Sequence, residues 1–244
     1  VVFGAGQVGA ILAEILLKKG QRVRVVKRSP GDTPAESELM LGDATDAAFC
    51  RQACKGAKAV YHCINPEYSA KVWDLMLQPI MDNLIEAAGR SGARLVVLDN
   101  VYMLGRTGGK PMNENSPTNP CSKKGEIRAR VAERLFEEHR LGRVQAVYGR
   151  AGDFYGPRGT LTLFGDFFWK AVLAGKPAMS PANLDTIHTY HYIPDVAKGL
   201  AALGCADASV LSGQSPIWML PCQPAVTTRQ LAKRFEPYLG KSVQ

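Results

Sequence analysis

The glycine-rich run at residues 4–9 constrains the fold of this chain more than any other stretch. Gly4, Gly6 and Gly9 follow a short apolar segment, and apolar residues then recur at helical spacing over residues 10–17. This order predicts a strand, a tight turn and a helix. In such a turn the first glycine permits the bend, the second lets a pyrophosphate approach the backbone, and the third lets helix and strand pack closely.

A second predicted strand, residues 21–26, completes a βαβ unit within about 30 residues, which is the context that this glycine motif requires. The turn is therefore predicted to bind a dinucleotide, and the alternative is a glycine turn without a ligand. The residues predicted to contact the dinucleotide here are Gly4, Gly6, Gln7, Val8 and Gly9.

The end of the second strand indicates which dinucleotide is bound. Lys27 and Arg28 stand where an acidic residue commonly contacts the ribose 2′-hydroxyl of NAD. Two cations attract a 2′-phosphate, so the sequence predicts NADP(H) in preference to NAD, the alternative being a solvated basic surface. After the next predicted strand, residues 38–41, Asp43 and Ala44 are expected at the adenine side of the cofactor. Capping of the following helix is a second possible role for Asp43.

The composition limits the classes of protein to which this chain can belong. The 244 residues, 46% hydrophobic and 21% charged, suit one large α/β domain or a domain with a small lobe. A net charge of +8 raises nucleic acid as a partner, but the basic residues are scattered without aromatic interleaving, which argues against it. No apolar run approaches the ~20 residues of a membrane helix. Six cysteines without a CxxC pair or zinc-ligand spacing predict free thiols, no metal site and a cytoplasmic protein.

Strands and helices alternate through the first hundred residues. Residues 58–65 are typical of a buried strand, residues 70–92 of a long amphipathic helix, and residues 93–98 of an apolar strand. This alternation predicts a doubly wound, parallel α/β sheet. Because ligands bind beyond the carboxyl ends of such strands, the predicted groove-lining residues after the 58–65 strand are Cys63, Ile64 and Asn65.

Three further expectations concern the surroundings of this groove. His62 is expected to be a packed or a surface histidine and not a catalytic one. The helix over residues 70–92 offers a surface through which two copies of the chain can pair as a homodimer. Three residues before Gly4 are few for a strand at the centre of a sheet, so further residues are expected to precede Val1.

Five motifs occur in an order that points to a known family. They are Gly4-x-Gly6-x-x-Gly9, Gly42-Asp43, the run 99–105, the run 150–157 and the run 191–197. With these motifs the whole chain resembles the NAD(P)-dependent epimerase/dehydratase family, the extended branch of the short-chain dehydrogenases/reductases. The resemblance implies a Rossmann-type sheet with a small C-terminal substrate-side lobe. It assigns residues 1–153, completed by 188–204, to the cofactor domain, and residues 154–187 and 205–244 to the lobe.

The resemblance also implies a Ser or Thr after the fifth strand and a Tyr-x-x-x-Lys pair on the next helix. These positions fall on Asn100, Lys124 and Arg128, so all three are changed. Lys124 and Arg128 share one helix face, and the neighbouring cation helps Lys124 to exchange a proton near neutral pH. Arg128 is expected to hold ribose and phosphate with Lys124 beside the cofactor, Asn100 to orient a substrate oxygen, and Tyr102 to supply a hydroxyl. The alternative is an ordinary basic helix face.

The part of the chain after Gly152 concerns the substrate. Asp153 and Tyr155, together with Asn65, are expected to contact it. A helix over 161–174 carries an aromatic cluster expected to pack in the core, the lining of an apolar substrate pocket being its second possible role. Asp195 is expected to cap a later helix, and a last helix is expected over residues 230–239.

The predicted function is that of an NADP(H)-dependent oxidoreductase or epimerase-like protein acting on a carbonyl or hydroxyl compound, nucleotide sugars being one such class. The alternative is a catalytically inactive NADP(H)-sensing regulatory or binding protein. The missing tyrosine favours the regulator, and the polar residues at all three changed positions favour the enzyme, so enzymatic activity stays open at this point.

Overall fold

A computed structural model describes residues 1–180, 183–211 and 215–243. Its centre is a sheet of seven parallel strands in the order β10-β6-β5-β4-β1-β2-β3. These strands are β1 (Val2–Phe3), β2 (Arg24–Lys27), β3 (Glu38–Leu41), β4 (Ala59–His62), β5 (Arg94–Asp99), β6 (Gln145–Arg150) and β10 (Ile217–Met219). Two small two-stranded sheets pair β7 (Asp153–Tyr155) with β9 (Tyr190–Tyr192), and β8 (Ile187–His188) with β11 (Val226–Thr227).

Helices cover both faces of the large sheet, as the alternating pattern predicts. The helices of the described residues are α1 (Gly9–Lys18), α2 (Ala47–Cys54), α3 (Ala70–Ser91), α4 (Lys123–Arg140), α5 (Asp166–Leu173), α6 (Ile193–Cys205), α7 (Ala208–Leu211), α8 (Thr228–Lys233) and α9 (Glu236–Leu239), with a 3-10 helix at Tyr102–Leu104. On one face α2, α3 and α4 pack around Trp73, Leu84 and Leu135, and on the other face α1 and α6 pack around Leu12 and Leu200. This arrangement is the predicted doubly wound α/β fold.

The shortest strand of the large sheet lies near its centre. β1 has two residues, and Val2 pairs with Val25 of β2 on one side and Tyr61 of β4 on the other. Both of its residues are fully buried. A strand of this length therefore holds a central position here because neighbours bury it on both sides and on both faces.

A third apolar cluster lies outside the two layers. Its buried members are Phe164, Phe168, Val172, Tyr190 and Leu231, and Trp169 packs against them. The strand β10 comes from the segment 205–244, which the sequence assigns to the lobe, yet it extends the large sheet beside β6. None of the helices in residues 1–180, 183–211 and 215–243 is long and apolar enough to cross a membrane.

Helix boundaries differ from the sequence prediction at three places. The helix expected over 161–174 begins only at Asp166, because residues 160–165 form a turn, and its Phe167 is 68% exposed and not in the core. The last helix is split into α8 and α9, where Pro237 lies in the first turn of α9 and lacks an amide hydrogen. Asp195 does not cap α6: the helix begins at Ile193, and Asp195 pairs with Lys198 inside it.

Candidate functional site

The glycine turn lies between the carboxyl end of β1 and the start of α1. Gly4 has φ +90°, and a Cβ on it would lie 3.0 Å from the backbone of Cys63 at the end of β4. A Cβ on Gly9 would lie 1.8 Å from the carbonyl oxygen of Gly4. These two glycines are therefore required by the packing of the turn itself.

Gly6 differs from both neighbours. A Cβ on Gly6 would meet no atom of the described residues within 4 Å. The chain's own packing thus gives no reason for a glycine here, whereas close approach of a ligand to the backbone gives one. α1 starts just beyond, after Gln7 and Val8, without a side-chain cap from any described residue. The positive end of the α1 dipole therefore follows directly after Gly6, which suits an anion.

The two cations, Lys27 and Arg28, stand at the carboxyl end of β2, the strand that pairs with β1. The Lys27 Nζ donates to the carbonyl oxygen of Asp32 at 3.3 Å, in the loop that follows, and Arg28 is exposed. Asp43 accepts hydrogen bonds from the amide and the hydroxyl of Thr45, both at 2.8 Å. These bonds, the backbone one first, and the charge of Arg28 hold the pKa of Asp43 below its usual range.

Asp43 does not cap the next helix, in contrast to the second role that the sequence allows. The cap of α2 is Asp46, whose carboxylate accepts from the amides of Ala48 and Phe49. Asp43 instead closes a turn one step earlier and stays at the carboxyl end of β3. Ala44 beside it is buried, and its carbonyl oxygen accepts from the Asn83 side chain at 2.9 Å.

A group of three aromatic rings and two cations lies beyond β4 and β5, and we call it the aromatic–cation cluster. The Lys124 Nζ lies 3.1 Å from the ring centroid of Tyr68, and the Arg128 guanidinium carbon lies 4.4 Å from that of Trp73. Tyr102 stacks on Trp73 at 6.1 Å, and its hydroxyl is 3.0 Å from the Tyr68 hydroxyl. The cluster is defined by Tyr68, Trp73, Tyr102, Lys124 and Arg128.

The helix α4 places both changed motif residues in this cluster. Ser122 caps α4 by accepting from the amide of Gly125, and a Cβ on Gly125 would lie 2.6 Å from the carbonyl oxygen of Tyr102. α4 therefore approaches the 3-10 helix closely at its first turn. Lys124 and Arg128 are thus not an exposed basic helix face: Lys124 is half-buried against an aromatic ring and Arg128 is buried.

A buried carboxylate and a side-chain amide oxygen hold the guanidinium of Arg128 in place. Its Nη1 lies 3.5 Å from a carboxylate oxygen of Asp99 at the end of β5, and its Nη2 donates to the Asn65 side-chain oxygen at 2.8 Å. The other Asp99 oxygen lies 3.5 Å from the Nε of Arg150, at the end of β6. Burial raises the pKa of Asp99 and lowers that of Arg128, and their opposite charges counter both shifts. The cluster thus rests on a network that spans three strand ends.

Asn65 and Asn100 use their carbonyl oxygens within the protein. The Asn65 oxygen accepts from Arg128, and the Asn100 oxygen accepts from the Tyr102 amide at 3.0 Å. Among the hydrogen bonds of the described residues none uses the Asn100 amide nitrogen. Asn100 therefore keeps a donor for a ligand oxygen, while Asn65 acts on Arg128.

Residues 62–64, at the end of β4, lie between the glycine turn and the aromatic–cation cluster. His62 is buried, its Nδ1 accepts from the Ile64 amide at 3.3 Å, and burial lowers its pKa to about 3, so it is a neutral packed histidine as expected. Burial raises the pKa of the Cys63 thiol to about 12. Cys63 and Ile64 meet Gly4 through their backbones.

Asp153 and Tyr155, two of the residues predicted to contact the substrate, are the first and last residues of β7. The His188 Nε2 lies 2.6 Å from a carboxylate oxygen of Asp153, and this hydrogen bond raises the pKa of His188. Both residues line a small polar hollow of about 190 Å³ whose wall also includes Tyr190 and Thr228. Tyr155 is half-buried, with its ring 5.4 Å from that of Tyr192.

Several residues of this region were missed by sequence reasoning. Tyr68 and Trp73 carry no local signal, since a loop tyrosine and a helix tryptophan are ordinary in any core. His188 meets Asp153 only through the pairing of β7 with β9, which the sequence does not reveal. Asp99 and Arg150 end buried strands, so the rule that places ligands at strand ends provides a signal for both.

The sheet order and the glycine turn define a nucleotide-binding α/β protein of the Rossmann type. The family described as the NAD dependent epimerase/dehydratase family matches residues 1–213. The chain belongs to this family, as its motifs indicate.

Curated relatives agree with this assignment. The UDP-glucose 4-epimerase of Streptomyces lividans is 29% identical over 168 residues, which cover 61% of this chain and 50% of that protein. A 3 beta-hydroxysteroid dehydrogenase/Delta 5-->4-isomerase of Mycobacterium tuberculosis is 32% identical over 110 residues, which cover 40% of this chain and 30% of that protein. The chain thus spans half or less of the length of these relatives.

Solved structures share the fold. The UDP-glucose 4-epimerase of Thermus thermophilus, in complex with NAD, has a TM-score of 0.79 at 23% identity and covers 100% of this chain and 84% of that one. The Bordetella bronchiseptica enzyme WbmG, in complex with NAD and UDP, has a TM-score of 0.81 at 20% identity and covers 99% and 78%.

Proposed function

We propose that this protein is an NADP(H)-dependent oxidoreductase or epimerase-like enzyme that acts on a carbonyl or hydroxyl group of a small molecule. The observation that carries the proposal is Gly6, the one glycine of the turn whose missing side chain leaves open space within the described residues. A dinucleotide that passes over Gly6 along the strand ends would reach the aromatic–cation cluster. The family match and the NAD-bound neighbours support a nicotinamide cofactor at this place.

The preference for NADP(H) rests on the basic end of β2. Lys27 and Arg28 occupy the position from which a carboxylate would repel a 2′-phosphate, and Arg28 is exposed. The neighbours' complexes contain NAD, so the 2′-phosphate preference is a property that we propose for this chain from its own residues. Its binding test is a comparison of NADPH with NADH.

The chain's own groups would position and polarise the substrate, while the bound nicotinamide supplies or accepts hydride. Arg128 offers a fixed cation held by Asp99 and Asn65. Asn100 keeps an amide donor, and Lys124 and Tyr102 bring a cation and a hydroxyl. Together they suit a carbonyl oxygen that gains negative charge during reduction.

A cofactor titration followed by a carbonyl panel tests the proposal. Quenching of tryptophan fluorescence reports NADPH and NADH binding. Loss of NADPH absorbance reports reduction of 4-nitrobenzaldehyde and ketoses, and gain of NADPH absorbance from NADP+ reports oxidation of UDP-sugars. We expect tighter binding of NADPH than of NADH and turnover of at least one carbonyl class. Binding without any turnover in the panel would favour the regulatory alternative.

Two double variants test the 2′-phosphate contact. Replacing Lys27 and Arg28 with alanine is expected to weaken NADPH by about tenfold or more and to leave NADH nearly unchanged, since one lost phosphate contact is worth on the order of 1.4 kcal/mol. The matched control replaces Lys18 and Lys19, exposed cations at the far end of α1, and should change neither affinity. Equal losses for the two nucleotides would contradict the assignment.

A further inference from the structure

Position 124 lacks the hydroxyl that the family's tyrosine provides, and two other hydroxyls lie beside it. The Tyr68 and Tyr102 hydroxyls are 3.0 Å apart, and the Lys124 ammonium lies 3.1 Å from the centroid of the Tyr68 ring. Tyr68 comes from the connection between β4 and α3, and Tyr102 from the 3-10 helix after β5. Both therefore come from the carboxyl ends of adjacent strands, where the predicted groove runs.

We propose that Tyr68 is the proton donor and acceptor of this site, with Lys124 as the cation against its ring and Tyr102 as its hydrogen-bond partner. The inference rests on the oxidoreductase function proposed above. This arrangement keeps the pairing of a tyrosine with a lysine. The tyrosine, Tyr68, comes from the loop after β4, and the lysine, Lys124, occupies the position at which the family has its tyrosine.

Exposure separates the roles of the two tyrosines. Tyr68 is 62% exposed and can exchange protons with water, whereas Tyr102 is half-buried and stacked on Trp73. Burial, followed by the hydrogen bond to Tyr68, raises the pKa of Tyr102. Tyr102 thus stays protonated at neutral pH and can donate to the Tyr68 oxygen when that oxygen carries charge.

Lys124 supplies the balancing charge. An ammonium against the face of a phenol ring is attracted by the ring, and the attraction grows when the ring becomes a phenolate. Trp73 backs the same ring edge-to-face, with centroids 5.6 Å apart, and holds it in place. The three contacts on Tyr68 therefore come from a cation, a hydroxyl and an aromatic neighbour.

The proton and electron balance is complete with groups already named. In the direction of reduction, a bound nicotinamide would supply the hydride for the carbonyl carbon, and the carbonyl oxygen would receive the π electron pair. The Tyr68 O–H bond breaks and its proton goes to that oxygen. The Tyr68 phenolate, which accepts a hydrogen bond from Tyr102, regains a proton from water. Oxidation of an alcohol runs through the same steps in reverse.

Removal of single hydroxyls tests this role. Tyr68→Phe is expected to lower kcat for the carbonyl that the wild type reduces by about 100-fold or more, which is the usual size of general-acid catalysis, with an unchanged Kd for NADPH. Tyr102→Phe should have a smaller effect of the same kind. The matched control is Tyr238→Phe, at a tyrosine that is 90% exposed in α9, and it should keep the wild-type rate.

A fluorinated tyrosine at position 68 gives one readout that a merely structural ring would not move, the pH dependence of kcat, and a second that tests the contacts of the ring. 3-Fluorotyrosine keeps the ring and the hydroxyl but makes the phenol more acidic, so the alkaline limb of the kcat profile should move to lower pH. Its ¹⁹F resonance, measured without substrate, should shift on Lys124→Met and on Tyr102→Phe, and should stay in place on Lys233→Met in α8.

The outcomes separate the two proposals. A wild type that binds NADPH and reduces no carbonyl defeats the proposed function and this role together. An active wild type whose Tyr68→Phe variant keeps its rate leaves the function standing and overturns the role of Tyr68. An unmoved ¹⁹F resonance on Lys124→Met overturns the contact between cation and ring on which the proposal depends.

Discussion

The two halves of the sheet's carboxyl edge are built in different ways. Beside β1 and β2 the site consists of backbone, with Gly4 and Gly9 fixed by packing and Gly6 facing open space. Beside β4, β5 and β6 it consists of side chains, with Arg128 between Asp99 and Asn65. The backbone half depends on a few glycines, whereas the side-chain half can change its residues, as positions 124 and 128 show, while the sheet remains the same.

The largest effect is expected inside the glycine turn. Gly9→Ala places a Cβ where the Gly4 carbonyl oxygen lies, at 1.8 Å, so we expect a loss of more than ~4 kcal/mol in unfolding free energy or a protein that fails to fold. Gly6→Ala should leave the thermal midpoint unchanged and weaken NADPH by about tenfold or more, on the order of 1.4 kcal/mol. Denaturation and fluorescence titration measure the two effects. A stable Gly9→Ala, or a Gly6→Ala with wild-type affinity, would remove the distinction between packing and ligand glycines.

The next effect belongs to the side-chain half. Asp99→Asn removes the buried anion that faces both Arg128 and Arg150, and leaving buried charges unpaired costs about 3–5 kcal/mol. The control is Asp74→Asn, which breaks an exposed pair with Arg130 and should cost at most about 1 kcal/mol. Urea unfolding of both variants measures the difference. Similar losses for the two would mean that the charge network does not support the cluster.

The sequence predicts the backbone half almost completely. Glycine spacing, the apolar alternation and the change from strand to helix are local signals, so strands β1 to β5, the helices between them and the turn follow from residues 1–99, whereas β6 and β10 of the same sheet lie outside this range. The strand β3 is found at the predicted residues, 38–41. Short-range rules suffice here because hydrogen bonds within one βαβ unit determine the geometry.

The side-chain half depends on contacts between distant positions. Tyr68 meets Lys124 across 56 residues of chain, and His188 meets Asp153 across 35. Family resemblance locates Asn100, Lys124 and Arg128 at the site, but their partners come from the packing of α3 against α4 and of β7 against β9. No local periodicity encodes these pairs, which is why Tyr68 and His188 escape sequence reasoning.

His62, which lies between the two halves, makes the stability of the protein depend on pH. His62 has a folded pKa of about 3 because it is buried, against about 6.5 for a free imidazole. Below pH ~6.5 the unfolded chain binds a proton that the native one does not, so stability falls as the pH falls towards 3, by up to roughly 4 kcal/mol. His62→Asn keeps an acceptor for the Ile64 amide and should flatten this part of the acid limb in unfolding measured at pH 4–8. An unchanged acid limb would show that His62 is accessible to protons in the native state.

The smallest effect is expected at the pair of Asp153 and His188. The folded pKa of His188 is raised by its hydrogen bond to Asp153, so the native state holds the proton more tightly than the unfolded state does. The stabilisation is therefore complete below pH ~6.5 and is lost as the pH rises through the folded pKa of His188. Both side chains are about half exposed, so solvent screens the pair and its contribution stays below about 1 kcal/mol.

Thermal midpoints of wild type and His188→Gln, measured between pH 5 and 9, should differ at the acid end and converge at the alkaline end, and Asp153→Asn should follow His188→Gln. The control is Arg229→Gln, which breaks the surface pair with Asp185 and should shift the midpoint equally at every pH in this range, since neither group titrates there. If the difference in thermal midpoint between wild type and His188→Gln grew towards pH 9 instead, the pH dependence would have the opposite sign to the expected one. This result would exclude the ion pair. The pair would then be a hydrogen bond of neutral imidazole to Asp153 and would carry a net negative charge at neutral pH, and the charge of Asp153 is one of the causes that raise the pKa of Tyr102.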